Sequence, residues 1–154
     1  MTKSPPNVPD EAVKLAAEFE GFSATPYRDP VGIWTIGFGS TRDTNGHPVT
    51  AHTAPVTRPQ AEGLMRRDLT AAAITVNEQV RVPLNDHERA ALESFIYNVG
   101  AGAFAGSTML RLINAGQLAA AAEQFERWDK AGGKVLAGLL RRRLAEKALF
   151  VEKG

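Results

Sequence analysis

Hydrophobic and polar positions change their spacing twice along the chain. Apolar residues recur at helical intervals over residues 10–22 and again from residue 57 to the end. Between them, Pro, Gly, Thr and Asn interrupt the sequence, Ile33–Phe38 alternates as a half-buried strand would, and Asn45-Gly46 signals a hairpin turn. The pattern predicts an α+β fold that is mostly α: one helix, a small antiparallel sheet of two or three strands, and an all-helical remainder.

Local signals predict where the helices begin and end. Asp10 is the expected N-cap of the first helix and Gly21 the residue beyond its end, which leaves Glu20 at the C-terminal end. Capping boxes begin two further helices, one at Thr57 with Gln60 and one at Asn85 with Glu88. Three more helices are expected, beginning after Ser107, over residues 117–130 and over residues 135–150.

The length of 154 residues predicts a single domain over residues 10–154, because no internal repeat or long linker divides it. Residues 1–9 contain three prolines and are expected to form a flexible arm. The start carries one lysine but no apolar run, so neither a signal peptide nor a signal anchor is predicted. No stretch reaches the ~18 apolar residues that a membrane-spanning helix needs, so no membrane insertion is expected.

Composition narrows the possible partners and cofactors. Lys plus Arg total 18 and Asp plus Glu total 17, and this balance gives no reason to expect nucleic acid as a partner. Cysteine is absent, and the three histidines, His47, His52 and His87, are too scattered for a zinc site. There is no phosphate-binding glycine loop of the Gly-x-x-x-x-Gly-Lys type. We therefore expect neither a metal nor a cofactor.

Two carboxylates and a hydroxyl in one short segment are the best candidates for chemistry. Glu20 lies at a helix end, Asp29 nine residues on in a turn, and Thr35 six residues later on a strand. Glycoside hydrolysis needs two carboxyl groups, one protonated and one ionised, on either side of the scissile bond. Glu20, beside Phe19 and Phe22 and at the negative end of a helix dipole, is the better proton donor. By residue type alone, ordinary helix-surface, turn and strand positions explain the trio better, because such combinations are common by chance.

This segment resembles the catalytic stretch of phage-type lysozymes, the endolysins of tailed phages. The resemblance rests on the spacing of Glu20, Asp29 and Thr35, followed by Ile36-Gly37-Phe38-Gly39. It covers about residues 10 to 150 and includes several later strings: Gln60-Ala61-Glu62, Arg67-Asp68-Leu69, Val82-Pro83-Leu84, Phe95–Gly100, Arg127-Trp128, Ala131–Lys134 and Arg141–Glu146. One departure is visible, because many members of that family have His where this chain has Ser40.

The resemblance implies a lysozyme-like fold of two lobes around a cleft. The sheet lobe would span about residues 20–56, a connecting helix about 57–78, and the helical lobe about 80–154. It further implies that Glu20 is the general acid and that Asp29 positions or activates water. Thr35 would hold that water on the face opposite the leaving group, so the reaction would invert the anomeric carbon.

Four more residues are implied as substrate contacts: Gly39, Tyr97, Asn98 and Arg142, the last facing Glu20 across the cleft. Each also has a structural interpretation, as a sheet-packing glycine, a core ring, a helix C-terminal amide and one of three adjacent arginines. The cluster from Arg141 to Lys147 is interpreted as a basic helix face that favours anionic cell-wall polymers.

The implied function is that of a muramidase. It would hydrolyse the β-1,4 bond between N-acetylmuramic acid and N-acetylglucosamine in bacterial peptidoglycan, as a monomer made in the host cytoplasm that reaches the wall through a membrane lesion. One alternative is a lytic transglycosylase, against which the intact Asp29 and Thr35 count. The other is a non-catalytic peptidoglycan-binding or tail-structural module, which would be expected to have lost part of the trio.

Overall fold

The computed structural model describes residues 8–131 and 133–152, and within them the chain is mostly helical. The elements in chain order are α1 (Asp10–Glu20), β1 (Ser23–Arg28), β2 (Trp34–Gly37), α2 (Arg58–Gln79), α3 (Asp86–Val99), α4 (Ala101–Ala105), α5 (Thr108–Asn114), α6 (Leu118–Gln124), a 3₁₀ helix (Phe125–Trp128), β3 (Lys130–Ala131), β4 (Lys134–Val135) and α7 (Ala137–Val151). Most of the expected arm, residues 1–7, lies outside the described residues, and Val8 is buried. The predicted α+β class is confirmed.

The helix signals near the functional segment are largely confirmed. Asp10, predicted as a cap, is instead the first helical residue, and α1 ends at Glu20 as expected. Thr57 and Gln60 exchange the two hydrogen bonds of a capping box, at 2.8 and 3.2 Å. Asn85 does the same with Glu88 at the start of α3. No helix of the described chain is long and apolar enough to cross a lipid bilayer.

Two predictions for the last third of the chain are wrong. The helix expected over residues 117–130 ends at Gln124 and continues as a 3₁₀ helix only to Trp128. The final helix begins at Ala137 instead of residue 135, because Lys134 and Val135 pair with Ala131 and Lys130 in a short antiparallel hairpin. A pair of two-residue strands is too short to leave an alternating pattern in the sequence.

Strands β1 and β2 form an antiparallel pair whose register fixes the faces of the hairpin. Tyr27 lies opposite Thr35 and Arg28 opposite Trp34, with an irregularity nearer to Ser23. Directly opposite residues project to the same face, and successive residues to opposite faces. The Arg28 guanidinium stacks 5.0 Å from the centroid of the Trp34 ring on one face. Tyr27 and Thr35 therefore share the other face.

The chain divides into two compact units, one of residues 16–68 and one of residues 1–15 with 69–154. In the first, the rings of Phe22 and Phe38 pack 5.4 Å apart, and the Arg58 guanidinium lies over both. A Cβ on Gly37 would come within 3.1 Å of the Ala61 Cβ, so this glycine allows α2 to pack closely against the hairpin.

The core of the second unit is built around Phe95 on α3. Its ring centroid lies 5.4 Å from those of Phe125 and Trp128 and 6.4 Å from that of Phe104, all edge-on. Such pairs contribute about 0.5–1.5 kcal/mol each beyond the area that they bury. Trp128 thus packs against the core, as its sequence context favours.

Glu93 is the least favourable residue inside this unit. Its side chain is fully buried on α3, and neither carboxyl oxygen has a hydrogen-bond partner among the described residues. Burial raises the pKa of Glu93 to about 7, opposed by Arg89 and reinforced by Asp86. The folded protein therefore keeps the proton on Glu93 at pH values where the unfolded chain has released it.

We expect Glu93→Gln to stabilise the protein increasingly as pH rises from about 4.5 to 7. In that window the unfolded carboxyl is ionised and the folded one is not, so Glu93 makes the parent less stable with rising pH. The amide has no such dependence, and its advantage should level off above pH 7. Urea unfolding at several pH values tests this, with Glu78→Gln, exposed on α2, as the control. An advantage that is constant with pH would contradict the prediction.

Candidate active site

Glu20 is the last residue of α1 and is partly buried. Gly21 follows with a φ of 73°, a conformation that glycine adopts without strain, and it turns the chain from the helix into β1. The carboxyl group is thus placed at the C-terminal end of α1, next to the turn that leads into β1. This is the position that the sequence predicts for a proton donor.

Asp29 begins the turn that joins β1 to β2. Its Oδ1 accepts hydrogen bonds from the backbone N–H groups of Val31 at 3.0 Å and Ile33 at 2.8 Å. The Asp29 N–H in turn donates to the Ile33 carbonyl at 2.9 Å, and Gly32 has a φ of 90°. Both bonds use the same carboxyl oxygen, so Oδ2 makes no hydrogen bond within the described chain and remains available to a ligand.

Residues 29–32 form an Asp-x-x-Gly turn, and a second turn of this type, residues 43–46 of the same unit, has the same geometry. Oδ1 of Asp43 accepts from the N–H groups of Asn45 and His47, both at 2.9 Å, and Gly46 has a φ of 82°. There the hydrogen bond from the His47 backbone is the largest of the effects that lower the pKa of Asp43. The predicted Asn45-Gly46 turn is confirmed, and its three-residue loop is of the kind that places glycine in a left-handed conformation.

Thr35 lies on β2 and is 4% exposed. Its Oγ1 donates to the Ile33 carbonyl at 3.0 Å, and the N–H of that same Ile33 donates to Asp29. One backbone residue therefore fixes both the hydroxyl and the carboxylate. The expected alternation of buried and exposed residues in this strand is wrong, because residues 35 to 38 are all buried.

Tyr27 lies near Glu20, Asp29 and Thr35. It lies opposite Thr35 across the strand pair, and its phenol is close enough to both carboxylates to be affected by their charge. Burial, then Glu20, then Asp29 raise the pKa of Tyr27. The structure thus brings Glu20, Asp29 and Thr35 together around this side chain. Sequence reasoning did not single out Tyr27, although it is two residues before Asp29, between the predicted first helix and the predicted strand.

Ser40, where the related family often has His, retains a bond to a carboxylate. Its hydroxyl donates to Oδ2 of Asp68 at 2.7 Å, and Asp68 also pairs with Arg67 at 3.1 Å. The Arg67 guanidinium donates onward to the carbonyls of Arg42 and Asp43, which ties α2 to the second turn. A neutral hydroxyl therefore replaces a titratable ring at this position.

Gly39 lies in the tight turn after β2 with a φ of 97°. Ile36 and Ser40 on either side of the turn exchange two backbone hydrogen bonds of 2.9 Å. This conformation explains a glycine here by backbone geometry alone, and a role for Gly39 in substrate contact remains a prediction.

Tyr97 and Asn98 lie near the end of α3 in the second unit. Tyr97 is partly buried and Asn98 is exposed. The Arg143 guanidinium donates to Oδ1 of Asn98 at 2.6 Å. Because its carbonyl oxygen is occupied in this way, the Asn98 amide is oriented with its NH₂ group free for an acceptor.

The interpretation of Arg141 to Lys147 as a solvated basic face is wrong. Arg142, Arg143 and Glu146 are all buried. Glu146 pairs with Arg142 at 3.3 Å and Arg143 at 3.1 Å, and it accepts a hydrogen bond of 2.7 Å from Ser94. Charged residues tolerate burial only when they are paired. The two arginines lie within one turn of Glu146 on α7, whereas Ser94 lies 52 residues away in sequence.

Arg142 and Arg143 differ in what else they contact. Arg142 donates to the Ser94 carbonyl at 3.2 Å, and Arg143 stacks with its guanidinium carbon 4.9 Å from the Phe95 ring centroid. Burial lowers the pKa of Arg143, against the effect of Glu146. Burial also raises the pKa of Glu146, opposed by both arginines and the Ser94 hydroxyl.

A protein-family model and two relatives match most of the chain, and all of them are phage lysozymes or endolysins. The profile of the Phage lysozyme family matches residues 17–146. An endolysin of Acyrthosiphon pisum secondary endosymbiont phage 1 is 35% identical, covering 94% of this chain and 97% of its own. The endolysin of Salmonella phage P22 is 42% identical over 86% of this chain and 89% of its own.

Two solved structures, a phage lysozyme and a muramidase domain, are also similar to this chain over most of its length. A mutant of P22 lysozyme superimposes with a TM-score of 0.87 at 36% identity, covering 96% of this chain and 99% of its own. The muramidase domain of SpmX from Asticaccaulis excentricus has a TM-score of 0.82 at 35% identity, covering 95% and 98% of the two chains.

We expect Arg143→Gln to destabilise the protein by about 3–5 kcal/mol, because it leaves a buried Glu146 with an incomplete set of partners. Arg141→Gln, at an exposed position two residues before Arg143 on the same helix, should change stability by no more than about 0.5 kcal/mol. Urea unfolding of the two variants measures the difference. Equal effects would mean that the buried network does not contribute to stability.

Proposed function

The chain belongs to the phage lysozyme family, and we propose that Glu20, Asp29 and Thr35 are its catalytic residues. It is a lysozyme-type glycoside hydrolase, and the family acts on peptidoglycan. The observation that carries the assignment is the arrangement around Tyr27, which is opposite Thr35 and within the electrostatic reach of both carboxylates. The bond that we propose is cleaved is the β-1,4 bond between N-acetylmuramic acid and N-acetylglucosamine.

Glu20 is the general acid in this proposal. It lies at the C-terminal end of α1, and its role is to donate a proton to the departing glycosidic oxygen. Asp29 is the base in this proposal. Its Oδ1 is held by two N–H donors, while Oδ2 faces no donor of the described chain and can accept a proton from water. The two carboxyl groups thus have different surroundings, as acid and base roles require.

Water is the proposed nucleophile, held between Oδ2 of Asp29 and the hydroxyl of Thr35. Asp29 accepts a proton from the water as it attacks the anomeric carbon, while Glu20 protonates the leaving oxygen on the opposite face. The hydroxyl of Thr35 is fixed as a donor to Ile33, so its lone pairs can accept a hydrogen bond from that water. Attack from the far face inverts the anomeric centre.

The remaining sugar contacts are proposed for Gly39, Tyr97, Asn98 and Arg142. The free NH₂ group of Asn98 suits the carbonyl of an acetamido group, because Arg143 occupies its oxygen. The Tyr97 ring could stack on a sugar face.

A hydrolase is favoured over the two alternatives. A lytic transglycosylase needs no residue to hold water, whereas this chain retains Asp29 and Thr35 in a fixed geometry. A non-catalytic wall-binding or tail-structural module has no need of a complete trio. We propose that the enzyme acts as a monomer without nucleic acid, metal or cofactor, and that it is made in the host cytoplasm and acts on the wall after release.

Glu20→Gln should reduce the rate of cell-wall hydrolysis by on the order of 10²–10⁴, the usual cost of losing a general acid. The amide keeps the shape of the side chain but cannot donate the proton. Clearing of outer-membrane-permeabilised cells measures the rate, and the thermal midpoint reports the fold. Glu18→Gln, exposed on the same helix, is the matched control and should clear cells at the parental rate. Parental activity in Glu20→Gln would remove Glu20 from the site.

The first product of a soluble peptidoglycan oligosaccharide should carry the α anomer at its new reducing end. The substrate bond is β, and water held by Asp29 and Thr35 attacks from the face opposite the leaving group. Proton NMR during the first minutes of reaction distinguishes the anomers before mutarotation mixes them. An initial β anomer would contradict the proposed placement of the water, and an anhydro end would identify a transglycosylase.

A further inference from the structure

The hydroxyl of Tyr27 has no assigned role in the chemistry described above. The side chain is on β1, 37% exposed, and shares with Thr35 the face of the hairpin opposite to Arg28 and Trp34. An exposed tyrosine on a strand can be an ordinary surface residue. Tyr27 differs because two carboxyl groups, those of Glu20 and Asp29, lie near its hydroxyl.

The phenol lies near two carboxyl groups but hydrogen-bonds to neither. Glu20 and Asp29 affect it through their charge, while its oxygen makes no hydrogen bond with any described residue of the chain. Burial and the two negative charges all raise the pKa of Tyr27 from its usual value of 10.0, so the hydroxyl keeps its proton at neutral pH. It is therefore a permanent, unused donor beside the catalytic groups.

A donor in this place suits a glycan better than it suits the protein. Sugar hydroxyl, ring and acetamido oxygens are neutral acceptors, and a neutral phenol adds no charge that would disturb the acid and base beside it. The backbone of Tyr27 is held in the strand pair opposite Thr35, so its side chain projects from the same face as that residue.

We propose that Tyr27 is a substrate-contact residue whose phenol donates a hydrogen bond to an oxygen of the saccharide bound at Glu20 and Asp29. This inference rests on the proposed function, since it assigns the ligand of that same site. It predicts that the hydroxyl, and not the ring alone, contributes to glycan affinity.

The first test measures binding in the inactive Glu20→Gln protein, so that the ligand is not consumed. A soluble oligosaccharide of alternating N-acetylglucosamine and N-acetylmuramic acid is titrated by calorimetry. Adding Tyr27→Phe removes one hydroxyl and should weaken binding by about threefold to tenfold, the usual range for one hydrogen bond. Ser23→Ala, added instead, removes a hydroxyl from the same strand that is already bonded to the Thr25 carbonyl, and should leave the affinity unchanged.

Equal affinities with and without the Tyr27 hydroxyl would overturn the inference while leaving the proposed function intact. Equal losses in Tyr27→Phe and Ser23→Ala would also overturn it, because the effect would then arise from the hairpin as a whole. If the Glu20→Gln protein binds no glycan, the proposed function fails and the inference fails with it.

The second test asks, without substrate, whether the Tyr27 phenol lies close to Glu20 and Asp29. The chain has two tyrosines, so Tyr97→Phe leaves Tyr27 as the only phenol, and its ultraviolet absorbance can be titrated while circular dichroism monitors the fold. Glu20→Gln and Asp29→Asn should each lower the titration midpoint, because each removes a negative charge beside the phenol. Glu18→Gln should leave it unchanged. A midpoint insensitive to both catalytic substitutions would overturn the placement of the hydroxyl between them.

Discussion

The hydrogen bonds between Oδ1 of Asp29 and the N–H groups of Val31 and Ile33 are the interaction on which the candidate site depends. They close the turn between β1 and β2, and the turn sets the register that places Tyr27 opposite Thr35. The carboxyl group that folds the hairpin is the same one proposed to act on water. Its two oxygens divide these tasks, because the turn uses only one of them.

The turn at Asp43 has the same hydrogen-bond pattern as the turn at Asp29 but lies outside the candidate site. Its hydrogen bonds match those at Asp29, and its carbonyl is held by Arg67 on α2. The same unit thus uses one local motif twice, once for structure and once at the site. An aspartate fixed by backbone donors through one oxygen keeps its second oxygen for another partner, and at Asp29 the same turn also holds the Thr35 hydroxyl.

The helical unit solves a different problem, which is how to bury charge. Glu146 accepts a hydrogen bond from Ser94 and pairs with two arginines. One of these, Arg143, also donates a hydrogen bond to the exposed amide of Asn98. Glu93 has no such partners, and it is compensated instead by keeping its proton up to a pH of about 7. Pairing and protonation are the two ways in which a buried carboxyl avoids an unshielded charge.

The sequence by itself determined the features that depend on near neighbours. The capping boxes, the helix end at Glu20 and the Asp-x-x-Gly turns are all set by residues within four positions of one another, where local hydrogen bonding decides the conformation. The spacing of Glu20, Asp29 and Thr35, together with the family resemblance, was enough to predict the site. Only the tertiary structure decided that Arg142 and Arg143 are buried and that Tyr27 lies near the proposed catalytic residues. Those facts depend on partners that local patterns do not identify: Ser94 and Asn98 for the arginines, about 50 residues away, and the facing strand for Tyr27.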